Sequence, residues 1–298
     1  MKLVYADDYD LNLGNHVFPS NKYRLIKEKL LREGIARPAD FVAPLAVPEQ
    51  DVALVHHREY IRKLQADKLS LTELLRLEVP YSPELVRAVW LCAGGSILAG
   101  TFALEDGVAV NVGGGFHHAF ADHGEGFCVL NDVAIAIRRL QKARAIERAM
   151  TVDCDVHQGN GTAAIFAGDK TVYTLSVHQE HNYPYPKPPS SRDVNLPDGA
   201  EDPEYLEALT QALDHALAEF QPDLILYLAG ADPYRDDQLG GLKLTIEGLE
   251  RRDRAIFEKA RDKNIPVAVT LAGGYARHLE DTVLIHTNTI RVAKEFAR

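Results

Sequence analysis

Short apolar runs and longer amphipathic segments alternate along most of this sequence. Five runs have the length and β-branched content of buried strands, and they are 107–112, 149–154, 171–177, 223–229 and 266–271. Four segments between them carry apolar residues at the three-to-four spacing of helices, and they are 83–104, 131–147, 202–219 and 245–263. This alternation predicts an α/β fold in which an open, mostly parallel β-sheet is covered by helices on both faces.

The length and charge of the chain narrow the class of protein. A chain of 298 residues is long enough for two domains, but α/β folds of this size are often single domains with a large core. No linker-like stretch divides it, so we expect one domain over 1–298. The formal net charge of −10, from 33 basic and 43 acidic residues, has the wrong sign for a general nucleic-acid binder. We therefore expect no direct nucleic-acid binding.

Nothing in the sequence indicates membrane insertion or export. No segment approaches the roughly 18 uninterrupted apolar residues of a spanning helix, and the strand-like segment 2–5 does not resemble a signal peptide. The three cysteines, Cys92, Cys128 and Cys154, form no C-x-x-C pair, which argues against a disulfide framework. We expect a soluble, cytoplasmic protein without membrane partners. Its oligomeric state stays open, because no heptad pattern is present.

Polar side chains follow the predicted strands at the points where the strands end. Open parallel sheets place their active sites outside the carboxyl ends of the strands, so these side chains should lie together. In chain order they are His117-His118, Asp153-Cys-Asp155-Val-His157, Ser176-Val-His178, Asp232 and Tyr275. Histidine, aspartate and tyrosine gather at these ends more often than chance would allow, which indicates a catalytic site.

A metal site is the first function that these residues suggest. Asp155 and His157 are two residues apart at a strand end, so they share one face. With Asp232 from another strand end, they would bind one divalent metal ion and leave a position for water and a substrate. Zinc is the first choice for this set, and its carboxylates would also suit Fe²⁺ or Mn²⁺.

The adjacent His117 and His118 follow three glycines, so both can face the metal if the backbone bends there. One would act as general base and the other as general acid. Each imidazole needs a partner that fixes its tautomer, and we expect Asp153 for His117 and Asn160 for His118. Because a carboxylate raises imidazole basicity more than an amide does, the two histidines should have different pKa values.

Tyr275 follows two glycines and can direct its hydroxyl toward the oxyanion that develops on a substrate carbonyl. Taken alone, each of these motifs also fits a structural role. Asp155 could cap a helix at a strand end, His117-His118 could form a surface turn, and Tyr275 could be a packed aromatic. The triple glycine 113–115 could suggest a phosphate cradle, but neither G-x-G-x-x-G nor a G-K-[ST] ending is present. The combination at one sheet edge favours a metal-dependent hydrolase.

The linked motifs resemble the zinc-dependent histone deacetylase family, which has the arginase/deacetylase fold, and most closely its class IV branch. The resemblance covers almost the whole chain, to a final helix at 283–298, and looks like that of a bacterial member. It rests on His16-Val-Phe-Pro19, Asn111-Val-Gly-Gly-Gly-Phe-His-His118, Gly126-Phe-Cys128, Asp153-Cys-Asp-Val-His-Gln-Gly-Asn-Gly161, Ala229-Gly-Ala-Asp232, Leu239-Gly-Gly241 and Gly273-Gly-Tyr275.

The resemblance implies a single deacetylase-like catalytic domain with one zinc ion, for which Fe²⁺ could substitute. It makes Asp155, His157 and Asp232 the zinc ligands and His117 and His118 the catalytic pair. It also makes Tyr275 the residue that stabilises the oxyanion. A structural potassium ion near the zinc is implied as well, held by Asp153, Ser176, the Val177 carbonyl, Asp155 and His157.

The resemblance also implies a tunnel for an acyl-lysine side chain. Gly126 and Phe127 resemble one wall, and Tyr183 or Tyr185 is expected to form the other. Both tyrosines lie in 179–199, which holds five prolines and is predicted to be a long loop. Loops of about 20 residues in compact domains are more often functional than incidental. We expect this one to govern the choice of acyl length.

One departure from the class I pattern and one difference from arginase-type relatives affect these expectations. Asn160 stands where class I members have an acid, as is usual in the class II and IV branches, so His118 should be less basic. Gly159 stands where arginase-type relatives carry an aspartate for a second metal, so a single metal is expected.

The substrate stays open between acylated lysine in a peptide or protein and an acylated small amine such as an acetylpolyamine. A non-catalytic acyl-lysine binder is a further alternative, against which the retained catalytic residues argue.

Overall fold

The computed structural model describes residues 1–298 and contains one sheet of eight strands, all of them parallel. The strands are β1 (Leu3–Val4), β2 (Phe41–Val42), β3 (Val108–Asn111), β4 (Ala149–Asp153), β5 (Val172–Gln179), β6 (Arg192–Leu196), β7 (Leu224–Leu228) and β8 (Val267–Thr270). Their order in the sheet is β2-β1-β3-β8-β7-β4-β5-β6. The predicted open parallel sheet is confirmed, and each of the five predicted strands is present.

Ten α-helices and two short 3-10 turns, Asp7–Tyr9 and Pro38–Asp40, complete the fold. The helices are α1 (Lys22–Arg32), α2 (Glu49–Val52), α3 (Arg58–Gln65), α4 (Leu71–Leu77), α5 (Pro83–Asp106), α6 (Asp132–Lys142), α7 (Asn160–Ile165), α8 (Asp202–Glu219), α9 (Ile246–Asp262) and α10 (Leu279–Phe296). Helices α1, α8, α9 and α10 pack on one face of the sheet, and α5 and α6 pack on the other.

Alternate residues of the strands face the two layers of helices. In β3, Val108 and Val110 belong to the apolar cluster on the α8–α10 side, whereas Ala109 belongs to the cluster under α5 and α6. A strand that is buried on both sides can be apolar at every position. The apolar runs of the sequence therefore correspond to central strands of a sheet that is covered on both faces.

The predicted end of the helix at 131–147 is wrong, because α6 stops at Lys142. Arg144 adopts a left-handed backbone with φ of 57°, and the Ala145 N–H bonds the Leu140 carbonyl at 3.0 Å. Such a turn closes the last carbonyls of a helix. The residues after Lys142 then lead directly into β4.

The predicted loop at 179–199 is only partly irregular. Strand β5 continues to Gln179, and β6 adds a parallel edge strand within the segment, with Leu175 opposite Arg192 and Gln179 opposite Leu196. An edge strand that is partly exposed can be polar, and the sequence RDVNL of β6 lacks the apolar run of a central strand. The irregular parts that remain are 180–191 and 197–199.

Helix α5 is the one helix that is long and apolar enough to cross a membrane, with a mean hydropathy of 1.5 over its most apolar 18 residues. Of that window, 56% is buried within the fold, and buried core helices meet the same criterion. Its start follows from Ser82, whose hydroxyl accepts a hydrogen bond of 3.1 Å from the Leu85 N–H, and from Pro83 in the first turn. The expectation of no membrane span stays a prediction.

Candidate metal centre and active site

The carboxyl ends of the central strands lie level at one edge of the sheet. Asn111 pairs with Thr270, Thr270 with Leu228, Leu228 with Asp153, and Asp153 with Ser176. Because these five residues are in register, the segments that follow them converge at the same edge. The polar residues that the sequence analysis selected therefore meet in one place.

Asp155, His157 and Asp232 form a buried cluster in which one ligand atom from each residue lies within 4.8 Å of the others. His157 Nδ1 is 3.0 Å from Asp155 Oδ1 and 3.6 Å from Asp232 Oδ2. Asp232 Oδ2 has no hydrogen-bond partner although it is fully buried. A buried, unpaired carboxylate oxygen is costly, and a divalent cation would satisfy it. These three residues therefore fit a metal ion.

The pKa values of Asp232 and His157 in this cluster are strongly shifted. Burial and the neighbouring Asp155 raise the pKa of Asp232 to about 7. Burial lowers the pKa of His157, but the hydrogen bond to Asp155 and the negative charge of the nearby Asp232 outweigh that effect and raise it to about 10. Metal ligands must give up their protons to bind. A cation would take over the role that a proton on His157 otherwise plays between the two carboxylates.

Backbone groups fix the orientation of both carboxylates. Asp155 Oδ2 accepts a hydrogen bond of 2.8 Å from the Gly273 N–H, and Asp232 Oδ1 accepts one of 2.9 Å from the Val156 N–H. Glycine is required at 273, because a Cβ there would lie 2.0 Å from Asp232 Oδ2. The unpaired Asp232 Oδ2 thus lies against a backbone that leaves no room for a side chain.

A buried ion pair in α9, on one face of the sheet, stabilises the segments that follow these strands. Arg252 in α9 is fully buried and donates hydrogen bonds to the carbonyls of Gly230 at 2.6 Å and Cys154 at 3.3 Å. Asp253 accepts from Arg252 Nε at 2.9 Å and from Thr289 Oγ1 at 2.6 Å. Arg252 therefore holds in place the two segments that lead into the carboxylates of the cluster.

His117 and His118 lie side by side next to the cluster, with ring centroids 4.1 Å apart. Gly114 and Gly115, which precede Phe116, have φ of 71° and 86°, and this supplies the bend that adjacent histidines need in order to face one site. His117 Nδ1 donates to a carboxylate oxygen of Asp153 at 2.6 Å.

His118 bonds a neutral partner instead, because its Nδ1 donates to Asn160 Oδ1 at 2.7 Å. The two imidazoles accordingly differ in pKa. Burial lowers the pKa of His117, but Asp153 and Asp155 outweigh it and raise the value to about 9. Burial, together with His117 and His157, lowers the pKa of His118 well below its usual value. These shifts favour a protonated His117 and a neutral His118 at neutral pH.

A cavity of about 290 Å³ leads from these residues to the surface. Phe127 and Tyr275 lie on its wall with ring centroids 6.0 Å apart, and the Tyr183 ring lies 4.9 Å from that of His118. Tyr275 is buried, and Asp237 Oδ2 accepts a hydrogen bond of 2.7 Å from its backbone N–H. Burial raises the pKa of the Tyr275 hydroxyl well above its usual value, so the group stays protonated.

The structure distinguishes the two tyrosines that were candidates for the second wall. Tyr183 lines the cavity, whereas Tyr185 is 70% exposed and lies outside it. The cavity lining also includes Glu78, Asn182 and Leu239, which the sequence analysis did not select as site residues. These three come from the segments after α4, β5 and β7. Leu239 belongs to one of the family motifs, but no pattern in the sequence indicated that the three residues would meet.

The residues of the predicted potassium site are also close in the fold. Asp153 and Ser176 are opposite each other on β4 and β5, and Asp153 Oδ1 accepts a hydrogen bond of 3.1 Å from the Asp155 N–H. Ser176 Oγ bonds His178 Nδ1 at 2.9 Å. Binding of potassium by these residues and the Val177 carbonyl stays a prediction.

Gly159 has little room for the second-metal aspartate of arginase-type proteins. A Cβ at this position would lie 2.5 Å from Asp153 Oδ2, the oxygen that His117 bonds. Any side chain there would displace the partner of His117. The single-metal expectation is therefore compatible with the local packing.

Comparison with known proteins gives consistent similarities over nearly the full length. A profile of the histone deacetylase domain matches residues 16–290. An uncharacterized protein of Picosynechococcus sp. is 39% identical, with 98% of each chain covered. Histone deacetylase 2 of Arabidopsis thaliana is 34% identical over 95% of this chain and 78% of its own length.

A bacterial relative and a solved structure extend these similarities. The acetoin utilization protein AcuC of Bacillus subtilis is 30% identical over 84% of this chain and 71% of its own length. The crystal structure of an HDAC homologue complexed with SAHA superposes with a TM-score of 0.83 at 24% identity, over 98% of this chain and 84% of that one. This structural match shows a common fold.

Proposed function

The chain belongs to the histone deacetylase family and is a hydrolytic deacetylase, and we propose that it uses one zinc ion to remove acetyl or longer acyl groups from acylated lysine. The observation that carries this proposal is the buried cluster of Asp155, His157 and Asp232 with its unpaired Asp232 Oδ2, at the inner end of a cavity that His118 and Tyr275 line. The three residues would hold the zinc ion, and Fe²⁺ could replace it.

The metal, when bound, supplies Lewis acidity that polarises the substrate carbonyl and lowers the pKa of water. His118 is neutral, and its Nδ1 is occupied by Asn160, so Nε2 is free to take a proton from water and to pass it to the leaving amine. His117 is positively charged through its contact with Asp153 and would stabilise the negative charge that develops nearby. The protonated Tyr275 hydroxyl would donate to the oxyanion.

The shape and polarity of the cavity support an acylated lysine as the substrate. Aromatic rings of Phe127, Tyr183 and Tyr275 would enclose an alkyl chain, which suits the side chain of an acylated lysine. Glu78 lies at the cavity and could attract a second positive charge, which keeps an acetylpolyamine or another acylated small amine as the alternative substrate. SAHA in the solved homologue supports an acyl-lysine-like ligand for this chain as well.

Further expectations belong to the same proposal. The chain would act as one catalytic domain over 1–298 in the cytoplasm, without direct nucleic-acid or membrane partners. It would carry a structural potassium ion at Asp153, Ser176 and Val177. Its sequence motifs favour the class IV branch of the family.

Hydrolysis of acylated substrates tests the proposal. The zinc-loaded enzyme is assayed on a lysine peptide that carries acetyl, butyryl, octanoyl or myristoyl groups, and on an acetylpolyamine, with and without a hydroxamate chelator. We expect turnover of at least one acyl-lysine peptide that the hydroxamate abolishes. Hydroxamate-sensitive turnover of the polyamine alone would support the alternative substrate. A zinc-replete protein that cleaves none of these substrates would contradict the deacylase proposal.

A further inference from the structure

The carboxylate of Glu125 joins the catalytic histidine to the wall of the cavity. Glu125 Oε1 accepts a hydrogen bond of 2.7 Å from Asn160 Nδ2 and another of 2.6 Å from the Tyr183 hydroxyl. Asn160 Oδ1 in turn accepts from His118 Nδ1 at 2.7 Å. One side chain therefore contacts both the partner of His118 and the aromatic ring that faces His118.

The chemistry of these groups fixes the direction of each hydrogen bond. Burial raises the pKa of Glu125, but the nearby His123 imidazole at 3.6 Å and the hydrogen bonds from Tyr183 and Asn160 outweigh it and lower the value to about 2. An ionised carboxylate can only accept, so Asn160 must turn its amide nitrogen toward Glu125 and its oxygen toward His118. The Gly161 N–H supports the same orientation, because it donates to Asn160 Oδ1 at 3.0 Å.

The orientation of Asn160 has a direct consequence for His118. An amide oxygen accepts and cannot donate, so the hydrogen of the neutral imidazole lies on Nδ1. Nε2 then remains as the nitrogen that can exchange a proton with the substrate. The tautomer of a catalytic histidine is generally set by the hydrogen bond on its other nitrogen.

Glu125 also belongs to the turn that presents the opposite wall. Its backbone exchanges two hydrogen bonds with Cys128, of 3.0 and 2.8 Å. Between them Gly126 and Phe127 have φ of 51° and 67°, a left-handed conformation that is uncommon for phenylalanine. The side chain of Glu125 thus extends from the Phe127 turn to the Tyr183 hydroxyl, and it ties the two walls of the cavity together.

We propose that Glu125 is a positioning residue that acts on turnover through Asn160 and His118, and on acyl-chain binding through Tyr183. The inference rests on the proposed deacylase function. Removal of the carboxylate would leave Asn160 Nδ2 and the Tyr183 hydroxyl without their shared acceptor. Both the proton-transfer geometry and the width of the cavity would then be less well defined.

Three variants separate these effects. Glu125→Ala removes the acceptor, Glu125→Gln keeps an acceptor oxygen without the charge, and Glu258→Ala alters an exposed glutamate of α9 whose side chain makes no hydrogen bond or ion pair. We expect Glu125→Ala to lose about 10–100-fold in kcat, the usual cost of an outer-shell partner, and to change the ratio of KM values between acetyl and octanoyl peptides. Glu125→Gln should recover most of that loss, and Glu258→Ala should match the wild type.

A spectroscopic measurement on the zinc-loaded protein gives a readout that does not depend on turnover. We expect a slowly exchanging His118 Nδ1 proton in the NMR spectra of the wild type and of Glu125→Gln, and its loss in Glu125→Ala. This signal decides the positioning role even if the wild type cleaves none of the substrates offered. An alanine variant with wild-type kcat and an unchanged Nδ1 proton would overturn the proposal. Equal impairment of the glutamine and alanine variants would do so too.

If Glu125→Ala fails to fold, Tyr183→Phe takes its place, because it removes only one of the two donors. We then expect an altered acyl preference together with a retained His118 Nδ1 proton. An acyl preference identical to that of the wild type would overturn the role assigned to the Glu125–Tyr183 contact.

Discussion

Replacing Tyr275 by phenylalanine is expected to lower kcat by about 10²–10³-fold while the zinc content of the protein stays the same. The hydroxyl is the one group that the substitution removes, and the ring would keep its packing against Phe127 and Phe18. Burial keeps the hydroxyl protonated, so it can donate to the oxyanion in the transition state. An interaction made only in the transition state affects kcat more than KM.

The matched control is Tyr173→Phe, because the Tyr173 hydroxyl lies on the surface and donates to Glu219 at 3.2 Å. This variant should keep wild-type kcat and zinc content. Steady-state kinetics on the best acyl peptide and metal analysis of both variants provide the comparison. If Tyr275→Phe kept full activity on every substrate that the wild type cleaves, the oxyanion role of Tyr275 would be wrong.

Asp232→Asn is expected to abolish zinc binding and to reduce turnover by at least about 100-fold, because a direct ligand should matter at least as much as an outer-shell partner. In the metal-free protein, by contrast, the substitution should not lower the stability of the fold. There the buried Asp232 lies against Asp155 with one oxygen unpaired, so a neutral side chain relieves repulsion. The metal-free variant should therefore unfold at a temperature no lower than that of the metal-free wild type.

The addition of zinc should distinguish the wild type from Asp232→Asn. A ligand at 1,000 times its Kd stabilises the folded state by about 4 kcal/mol, so zinc should raise the unfolding temperature of the wild type but not that of Asp232→Asn. Asp236→Asn is the control, because Asp236 belongs to the same loop but is largely exposed. An Asp232→Asn protein that zinc stabilises as strongly as the wild type would rule out Asp232 as a ligand.

The central strands could be predicted from the sequence because both of their faces are buried, so that each is a continuous apolar run. Edge strand β6 could not, since its residues Arg192, Asp193 and Asn195 are polar and partly or fully exposed. The short helices α2 to α4 were not among the predicted elements either, although Ser70 and Glu73 form a capping box at the start of α4. They lie beside α5 and contribute to a separate apolar cluster that includes Val52, Ile61 and Leu77.

The proximity of the three candidate metal ligands and of the histidine pair could also be predicted, because all of these residues follow strands whose ends are brought together by the sheet. The hydrogen bonds of His117 to Asp153 and of His118 to Asn160 match the partners inferred from chemistry alone. Glu125, Glu78 and Leu239 had no such signal. Each reaches the cavity from a connecting segment, and only tertiary packing determines which loops meet.

Reconstitution of the metal-free enzyme with zinc tests the catalytic metal most directly. The protein is stripped with a chelator, its metal content is measured, and zinc is returned in steps while turnover of the best acyl-lysine peptide is followed. We predict that the stripped protein is inactive and that activity rises linearly until it levels off at a single equivalent of zinc per chain. Full activity in a protein shown to contain no metal would contradict the assignment of Asp155, His157 and Asp232 as the catalytic metal site.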